Sequence, residues 1–541
     1  MFKINPVFNT DAYKLSHKKF ETSGTEYVQA NFTPRSFRLS QLPLEKAVWF
    51  GGQRMVRKLI DTWNENFFSR DKETVMAEAE RIFSIYLGMS KEDIQHFSAL
   101  HDLGYLPLRI KALPEGSRVN AKTPVLLIEN TNPEYSWLVT YLETWISTEL
   151  WLPMTSATTM YEFRKLVNDH AVKTTGSTDG TEFQLHDFSF RGMGPDEAGA
   201  SGAGFLLSSW GTDTIPAICE LEYYYDADIE KEPIAFSVPA TEHSVTCVGI
   251  AVNGEKETIR NWINNVYPTG IVSIVADTLD FFKVITEYAE ALKEDILNRQ
   301  VNEIGLAKVV FRPDSGDPVK ILTGYKVLDV TDGGYADLTT GMNKWSIVEW
   351  ANTLDKGFEV LKMNGQYWLF DDLNVKISEA EVKGAVECLW EIFGGTVTEQ
   401  GYKVLNERVG LIYGDSITYD RAEHIMQRLA DKGFASTNCV FGVGSYTMRY
   451  VTRDTLGSAI KVTWAQVDGL EYAVAKDPKT DSGVKKSAKG YLDVIEVDGD
   501  FKLVESSMKA DRPQSAMKEI LYNGNLENQT TLSEVRSRLW N

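Results

Sequence analysis

The chain has 541 residues, of which 43% are hydrophobic, 11% aromatic and 24% charged, the proportions of a globular protein with a large core. Its 56 Lys and Arg against 76 Asp and Glu leave a formal charge of −20. That sign repels nucleic-acid backbones and anionic lipid surfaces, so any anionic ligand must be gripped by a local basic cluster. No apolar run reaches the roughly 18 residues of a spanning helix, and Met1–Pro6 lacks a signal-peptide core. Cys219, Cys247, Cys388 and Cys439 are scattered without a C-x-x-C pair, so the expectation is a cytoplasmic, reducing setting with neither disulfides nor a zinc site.

At about 150 residues per domain the length predicts two to four domains, or one large domain with attachments. Residues 1–60 mix short apolar stretches with Arg35 and Arg38. From 71 to 100 the spacing of Val75, Ala79, Ile82, Phe83 and Leu87 has a helical period. The stretch 106–129, with its Pro114-Glu115-Gly116 turn, reads as strand–turn–strand. A long helix is predicted from Tyr135 to Trp151. The opening third is therefore α+β with an antiparallel component.

From about 183 the texture changes. Seven short apolar runs, beginning at Phe183, Phe205, Ile234, Ile271, Val309, Leu411 and Cys439, each end in a small or polar cluster. Near-continuous apolar strands of this kind argue for a buried parallel sheet, and polar groups at their carboxyl ends suggest an irregular β/α barrel with its active site on that face. The predicted fold class is α/β: the barrel over 151–459, plus an α+β domain built from 1–150 and 460–541. The stretch 321–379, with its Asp332-Gly333-Gly334 turn, interrupts the rhythm and reads as an inserted subdomain.

Several strand-end residues carry candidate chemistry. In Arg312-Pro-Asp314-Ser-Gly316 the guanidinium suits phosphate and the carboxylate suits sugar hydroxyls or a hydrated metal, although a type I turn explains the same string. Gly442-Val-Gly444-Ser445 resembles a phosphate cradle, and also a pair of packing glycines. Asp213 is a helix cap or an acceptor for a neutral amide; Asp277 and Asp415 are caps, sugar-diol acceptors or supporting acids. His243 follows a strand on the inferred active face, where a structural role is equally open. Lys476 to Lys489 is a solvated basic loop or a polyphosphate patch. Tyr13, Phe188 and Phe190 are core aromatics or a stacking platform for a flat ring.

Together these strings resemble the type II phosphoribosyltransferases that act on nicotinamide, with the nicotinate enzymes as nearest relatives. The residues carrying the likeness are His-Asp-Phe188-Ser-Phe-Arg191-Gly, Gly-Thr-Asp213-Thr, Ser-Val-Pro-Ala-Thr-Glu-His243-Ser, Arg312-Pro-Asp314-Ser-Gly, Gly414-Asp415-Ser, Thr-Arg453-Asp and Thr-Asp11-Ala-Tyr13-Lys. It spans nearly the whole chain except 321–379. The resemblance implies joining nicotinamide to 5-phosphoribosyl-1-pyrophosphate, with Mg²⁺ held through the pyrophosphate rather than by direct protein ligands. It implies a homodimer in which Phe188 and a second subunit's Tyr13 sandwich the ring, with Asp11 beside it and Asp213 accepting from the carboxamide. Arg191, His243 and Arg312 would contact pyrophosphate; Asp314, Gly414 and Asp415 the ribose; Gly444, Ser445 and Arg453 the nucleotide phosphate. Arg35, Lys461, Lys476 and Lys485 match basic positions near the phosphate pocket. ATP would phosphorylate His243, oriented by Asp277. Where the family carries three glycines this chain reads Gly444-Ser445-Tyr446. The alternatives are nicotinate as substrate, or a non-catalytic binding protein on the same scaffold.

Overall fold

The computed structural model describes residues 4–331, 335–414, 416–479, 486–510 and 512–541. At its centre lies an all-parallel six-stranded sheet curved as a half-barrel. Its order is Gly211–Thr212, Leu185–Phe188, Cys439–Gly444, Val409–Tyr413, Ala307–Arg312, Gly270–Val275. Branched and aromatic side chains such as Val309, Phe311, Leu411, Tyr413, Phe441 and Val443 are buried there, which is why the sequence shows runs rather than alternation. Isolated bridges Gly211↔Phe236 and Ala240↔Ser273 carry the segment 236–241 from one edge of this sheet to the other. Pro239 within the segment has no N–H to donate, which limits it to scattered bridges instead of a regular ladder.

Six of the seven predicted runs coincide with elements of this layer; the run from Phe205 does not. Phe205 ends the helix Pro195–Phe205, and the strand is only Gly211–Thr212. Proline at the helix start and a chain of Gly and Ala let this helix lie close against the long helix Glu143–Thr175. A Cβ on Gly204 would sit 2.7 Å from the Pro153 carbonyl oxygen.

The second layer is an antiparallel seven-stranded sheet that interleaves the two ends of the chain. Thr25–Thr33 pairs on one side with Ala459–Val467 and on the other with Leu126–Asn130. Leu108–Ala112 follows, then Lys518–Tyr522. The predicted strand–turn–strand at 106–129 is present. The helical period over 71–100 resolves into Lys72–Leu87 and Gln95–Leu103, broken at Gly88, whose φ of 67° ends the first helix. The helix expected at 135–151 splits into Ser136–Tyr141 and the 33-residue Glu143–Thr175, which runs through residue 150, where the sequence reading divides the chain. Residues 327–377 form a four-stranded sheet with the helix Lys344–Asn352, enclosing a core of their own around Leu328, Ile347 and Leu361. The turn expected at 332–334 lies outside the described residues. Among the described residues no helix is long and apolar enough to cross a membrane.

Candidate active site at the strand ends

The carboxyl ends of the parallel strands open into a cavity of about 880 Å³. Phe188, Arg191, Asp213, Arg312, Asp314, Gly414, Gly444 and Ser445 all line it, brought together from positions up to 257 residues apart in sequence. Each lies at the carboxyl end of a parallel strand or within the first three residues after it.

The Phe188 ring needs two glycines beneath it. A Cβ on Gly442 would fall 2.4 Å from the Phe188 Cδ2, and one on Gly414 would fall 2.8 Å from Asp314 Oδ1 and 3.6 Å from the ring. Gly442 is thus a seat for an aromatic rather than part of an anion cradle, whereas a Cβ on Gly444 would meet nothing within 4 Å. Gly192 lets the Arg191 turn pack on Ser445, its absent Cβ lying 2.3 Å from the Ser445 Cβ.

Asp213 presents its carboxylate to the cavity with Oδ1 held twice. His186 Nε2 lies 2.9 Å from this oxygen and the Ser237 hydroxyl donates to it at 2.6 Å. Burial pushes the Asp213 pKa up, but the hydrogen bonds from His186 and Ser237 and the charge of Arg312 outweigh it, so the group lies below the usual carboxylate value. On the opposite side, His243 Nε2 lies 3.2 Å from Asp277 Oδ1. Asp277 Oδ2 accepts from the Asp314 N–H at 3.0 Å and the Ser315 hydroxyl at 2.5 Å. His243 opens the helix His243–Asn253 next to the lining residues Thr241 and Glu242.

Arg312 donates from Nη2 to the Thr241 carbonyl at 2.7 Å, while its buried Nε makes no hydrogen bond among the described residues. A guanidinium so placed is short of an acceptor, which an anion would supply. Arg191 pairs with Glu242 at 3.6 Å on an exposed surface, an interaction weak enough to yield to a phosphate.

Asp11, Tyr13, Arg35, Arg453, Lys461 and Lys476 do not line the cavity, and Tyr13 and Lys461 both lie near Glu143. The Asp11 carboxylate accepts from Thr144 at 2.6 Å and lies 3.5 Å from the exposed Tyr13 hydroxyl. The Tyr13 phenol is raised first by partial burial, then by Asp11 and Glu143, with Arg453 opposing. Lys461 lies 3.6 Å from Glu143; burial lowers it most, with Arg35 and Lys14 adding to the fall. Arg35 donates to the Gly457 carbonyl at 2.8 Å. Lys476 is exposed, in contact through its backbone with Ser487. Asp415 and Lys485 lie outside the described residues. Among the described residues no three His, Cys, Asp or Glu gather as metal ligands.

His186 and Ser237 were missed as site residues. A signal existed: strand residues two apart share a face, so His186 had to lie beside Phe188, and the two rings are 4.7 Å apart.

A model of the nicotinate phosphoribosyltransferase (NAPRTase) family matches residues 183–525. The chain is 48% identical to the nicotinamide phosphoribosyltransferase of Acinetobacter baylyi, over 99% of this chain and 97% of that protein. It is 29% identical to the nicotinamide phosphoribosyltransferase of Xanthomonas campestris pv. campestris, over 98% and 97%. The Mycoplasma pneumoniae protein of the same name is also 29% identical, over 89% and 94%. With more than half its length under the family model and nearly all of it aligned to these relatives, the chain belongs to the nicotinate phosphoribosyltransferase (NAPRTase) family.

Proposed function

We propose that this chain is a nicotinamide phosphoribosyltransferase that joins nicotinamide to 5-phosphoribosyl-1-pyrophosphate, giving nicotinamide mononucleotide and pyrophosphate in NAD salvage. The observation that carries this reading is the Asp213 carboxylate, held charged at the edge of a cavity that also offers Phe188, Arg191 and Arg312. A neutral carboxamide donates to such a carboxylate; the carboxylate of nicotinate would be repelled by it. Nicotinate remains the rival substrate because the family model bears its name, and Asp213 stands against it.

In this reading the pyridine ring lies on Phe188 and its nitrogen lone pair attacks C1 of the ribose. The C1–O bond to pyrophosphate breaks as the bond to nitrogen forms, so no general base is required. The work of the protein is orientation and charge stabilisation around an oxocarbenium-like transition state. Arg312 and Arg191 grip the departing diphosphate, Asp314 and Gly414 (with Asp415) receive the ribose, and Gly444, Ser445 and Arg453 receive the nucleotide phosphate. The residues fit a magnesium diphosphate: Asp277 spends both oxygens on His243, Ser315 and the Asp314 N–H, while Asp314 lines the cavity and suits a hydrated cation. Bound through the diphosphate, Mg²⁺ would offset the leaving group's charge.

His243 would accept a phosphoryl group from ATP, the imidazole nitrogen bonding to phosphorus as ADP leaves, with Asp277 fixing the tautomer. Its place at a helix N-terminus favours the negative charge so gained. A homodimer completes the slot, a second copy bringing Tyr13 and Asp11 with the basic residues Arg35, Lys461, Lys476 and Lys485; of the described ones, none lines the cavity in one chain. Val245, Val248 and Val252 leave an apolar helix face more than half exposed beside the site, which a second copy would cover. The layer from 1–150 and 460–541 then supports the 151–459 barrel, whose seventh strand is the bridging segment near 234–241, and 321–379 is an inserted subdomain.

The test is pyrophosphate release with Mg²⁺ from nicotinamide or nicotinate, with and without ATP. Turnover of nicotinamide, enhanced by ATP, is the expected result; turnover of nicotinate alone would overturn the reading.

A further inference from the structure

We infer that His186 and Ser237 are positioning residues for substrate choice: by occupying Oδ1 of Asp213 from two separate elements, they fix its rotamer and reserve Oδ2 for the carboxamide N–H of the ligand. The inference rests on the nicotinamide reading above and names what enforces it.

Three parts of the parallel layer converge on this one side chain. Asp213 follows Gly211–Thr212, and its own N–H donates to the Asp187 carbonyl at 3.0 Å, which fixes the backbone. His186 comes from the adjacent strand, in register with Gly211. Gly211 is what lets the imidazole lie across to Asp213, since a Cβ there would stand 2.8 Å from the His186 Nδ1. The ring is buried and rests on Phe188, so it has little freedom to leave. Ser237 comes from the bridging segment, next to Phe236, which pairs with Gly211.

A carboxylate oxygen has two lone-pair directions, and two donors at 2.9 and 2.6 Å take both at Oδ1. Because an ionised carboxylate only accepts, Nε2 of His186 carries a proton. The chemistry of selection follows. An Asp213 relieved of these donors would take up a proton more readily, and a protonated carboxyl can donate to the carboxylate of nicotinate. With both donors present it can only accept, which suits an amide and excludes an acid.

The test uses the full-length enzyme and three variants: His186→Leu, His186→Gln and Ser237→Ala. KM and kcat are measured for nicotinamide and for nicotinate at saturating 5-phosphoribosyl-1-pyrophosphate, together with the KM of that second substrate. Removing the imidazole donor in His186→Leu should raise the nicotinamide KM about tenfold or more and narrow the nicotinamide-to-nicotinate preference, as loss of a charge-assisted hydrogen bond requires. The KM for the phosphoribosyl donor should stay within about twofold of wild type, and the amide N–H of His186→Gln should recover most of the loss. Ser237→Ala, at an exposed position, should shift the preference in the same direction by less. An unchanged nicotinamide KM in His186→Leu overturns the proposal. So does a rise in both substrates' KM with the preference intact and no recovery by Gln, the pattern of a packing role. If His186→Leu does not fold, an unaltered preference in Ser237→Ala overturns it. A wild-type enzyme that used nicotinate and not nicotinamide would instead overturn the substrate reading, and this inference with it.

Discussion

Two histidine–aspartate pairs lie at the strand ends, one with Asp213 lining the cavity and one with His243 next to the lining residue Glu242, and they are built in opposite senses. At one, the Asp213 side chain is 46% exposed and its partner His186 only 11%. At the other, His243 is 38% exposed and its partner Asp277 only 6%. The same two residue types at hydrogen-bond distance therefore offer a carboxylate on one side and an imidazole on the other. In the proposed reaction the buried member would orient and the exposed member would meet the ligand. Supporting bonds follow the same rule, with Ser237 bracing the exposed acid and the Asp314 N–H and Ser315 bracing the buried one. A carboxylate faced outward suits recognition of a neutral donor, and an imidazole faced outward suits nucleophilic or electrostatic work on phosphate.

The comparison breaks most sharply at the exposed members. Asp213→Ala should cut nicotinamide kcat/KM by about 100-fold, since a charged acceptor is lost; steady-state turnover checks this. Asp213→Asn should weaken nicotinamide use less and raise the relative use of nicotinate. Unchanged nicotinamide kinetics in either variant would sink the assigned role. His243→Ala should instead leave a basal reaction and abolish its enhancement by ATP, read as the ratio of turnover with and without the nucleotide. The buried members should matter less and differently. Asp277→Asn keeps the shape but not the charge, and should reduce the ATP enhancement about tenfold while leaving the nicotinamide KM within about twofold. Equal losses with and without ATP would mean that Asp277 serves the fold rather than His243.

Why Asp213, His243 and Asp277 were visible in the sequence and His186 was not has a physical explanation. Asp277 and Arg312 follow an apolar run directly, and Asp213 and His243 come within a few residues of one, so the break in polarity marks them as strand-end residues. His186 sits inside its run, where a polar residue reads as an interruption, and Ser237 lies in a segment too irregular to have a face. The parallel layer was legible because burial on both sides leaves only branched and aromatic side chains. The run at Phe205 misled because a buried helix made of Gly and Ala is as apolar as a strand. That both chain ends share one α+β layer was expected from the sequence reading, but the register that interleaves them in one antiparallel sheet was not legible. The pairing of Thr25–Thr33 with Ala459–Val467 joins residues more than 400 positions apart, and no local pattern encodes it. The Tyr13 cluster is a different case: the resemblance names its residues, and in one chain they do not line the cavity that holds Phe188.

A third histidine sharpens the contrast by lacking, among the described residues, a carboxylate partner at hydrogen-bond distance. His96 packs between the rings of Phe97 and Trp137, with centroids 4.1 and 4.5 Å away. Burial, with Lys18 assisting, lowers it to about 4, whereas the unfolded chain would titrate near 6.5. Above pH 6.5 both states hold a neutral ring and the group costs nothing. As pH falls from 6.5 towards 4 the unfolded state takes up a proton that the folded state refuses, so stability is lost across that window and the loss levels off below it. The size is at most about 3 kcal/mol, from the 1.36 kcal/mol carried by each pKa unit. His96→Gln has no such proton to bind, so its thermal midpoint should lie below that of wild type at pH 7, where the ring still packs, and the gap should shrink at pH 4.5. A gap of constant size at the two pH values would show that His96 titrates alike folded and unfolded, and that a buried imidazole here needs no acid beside it.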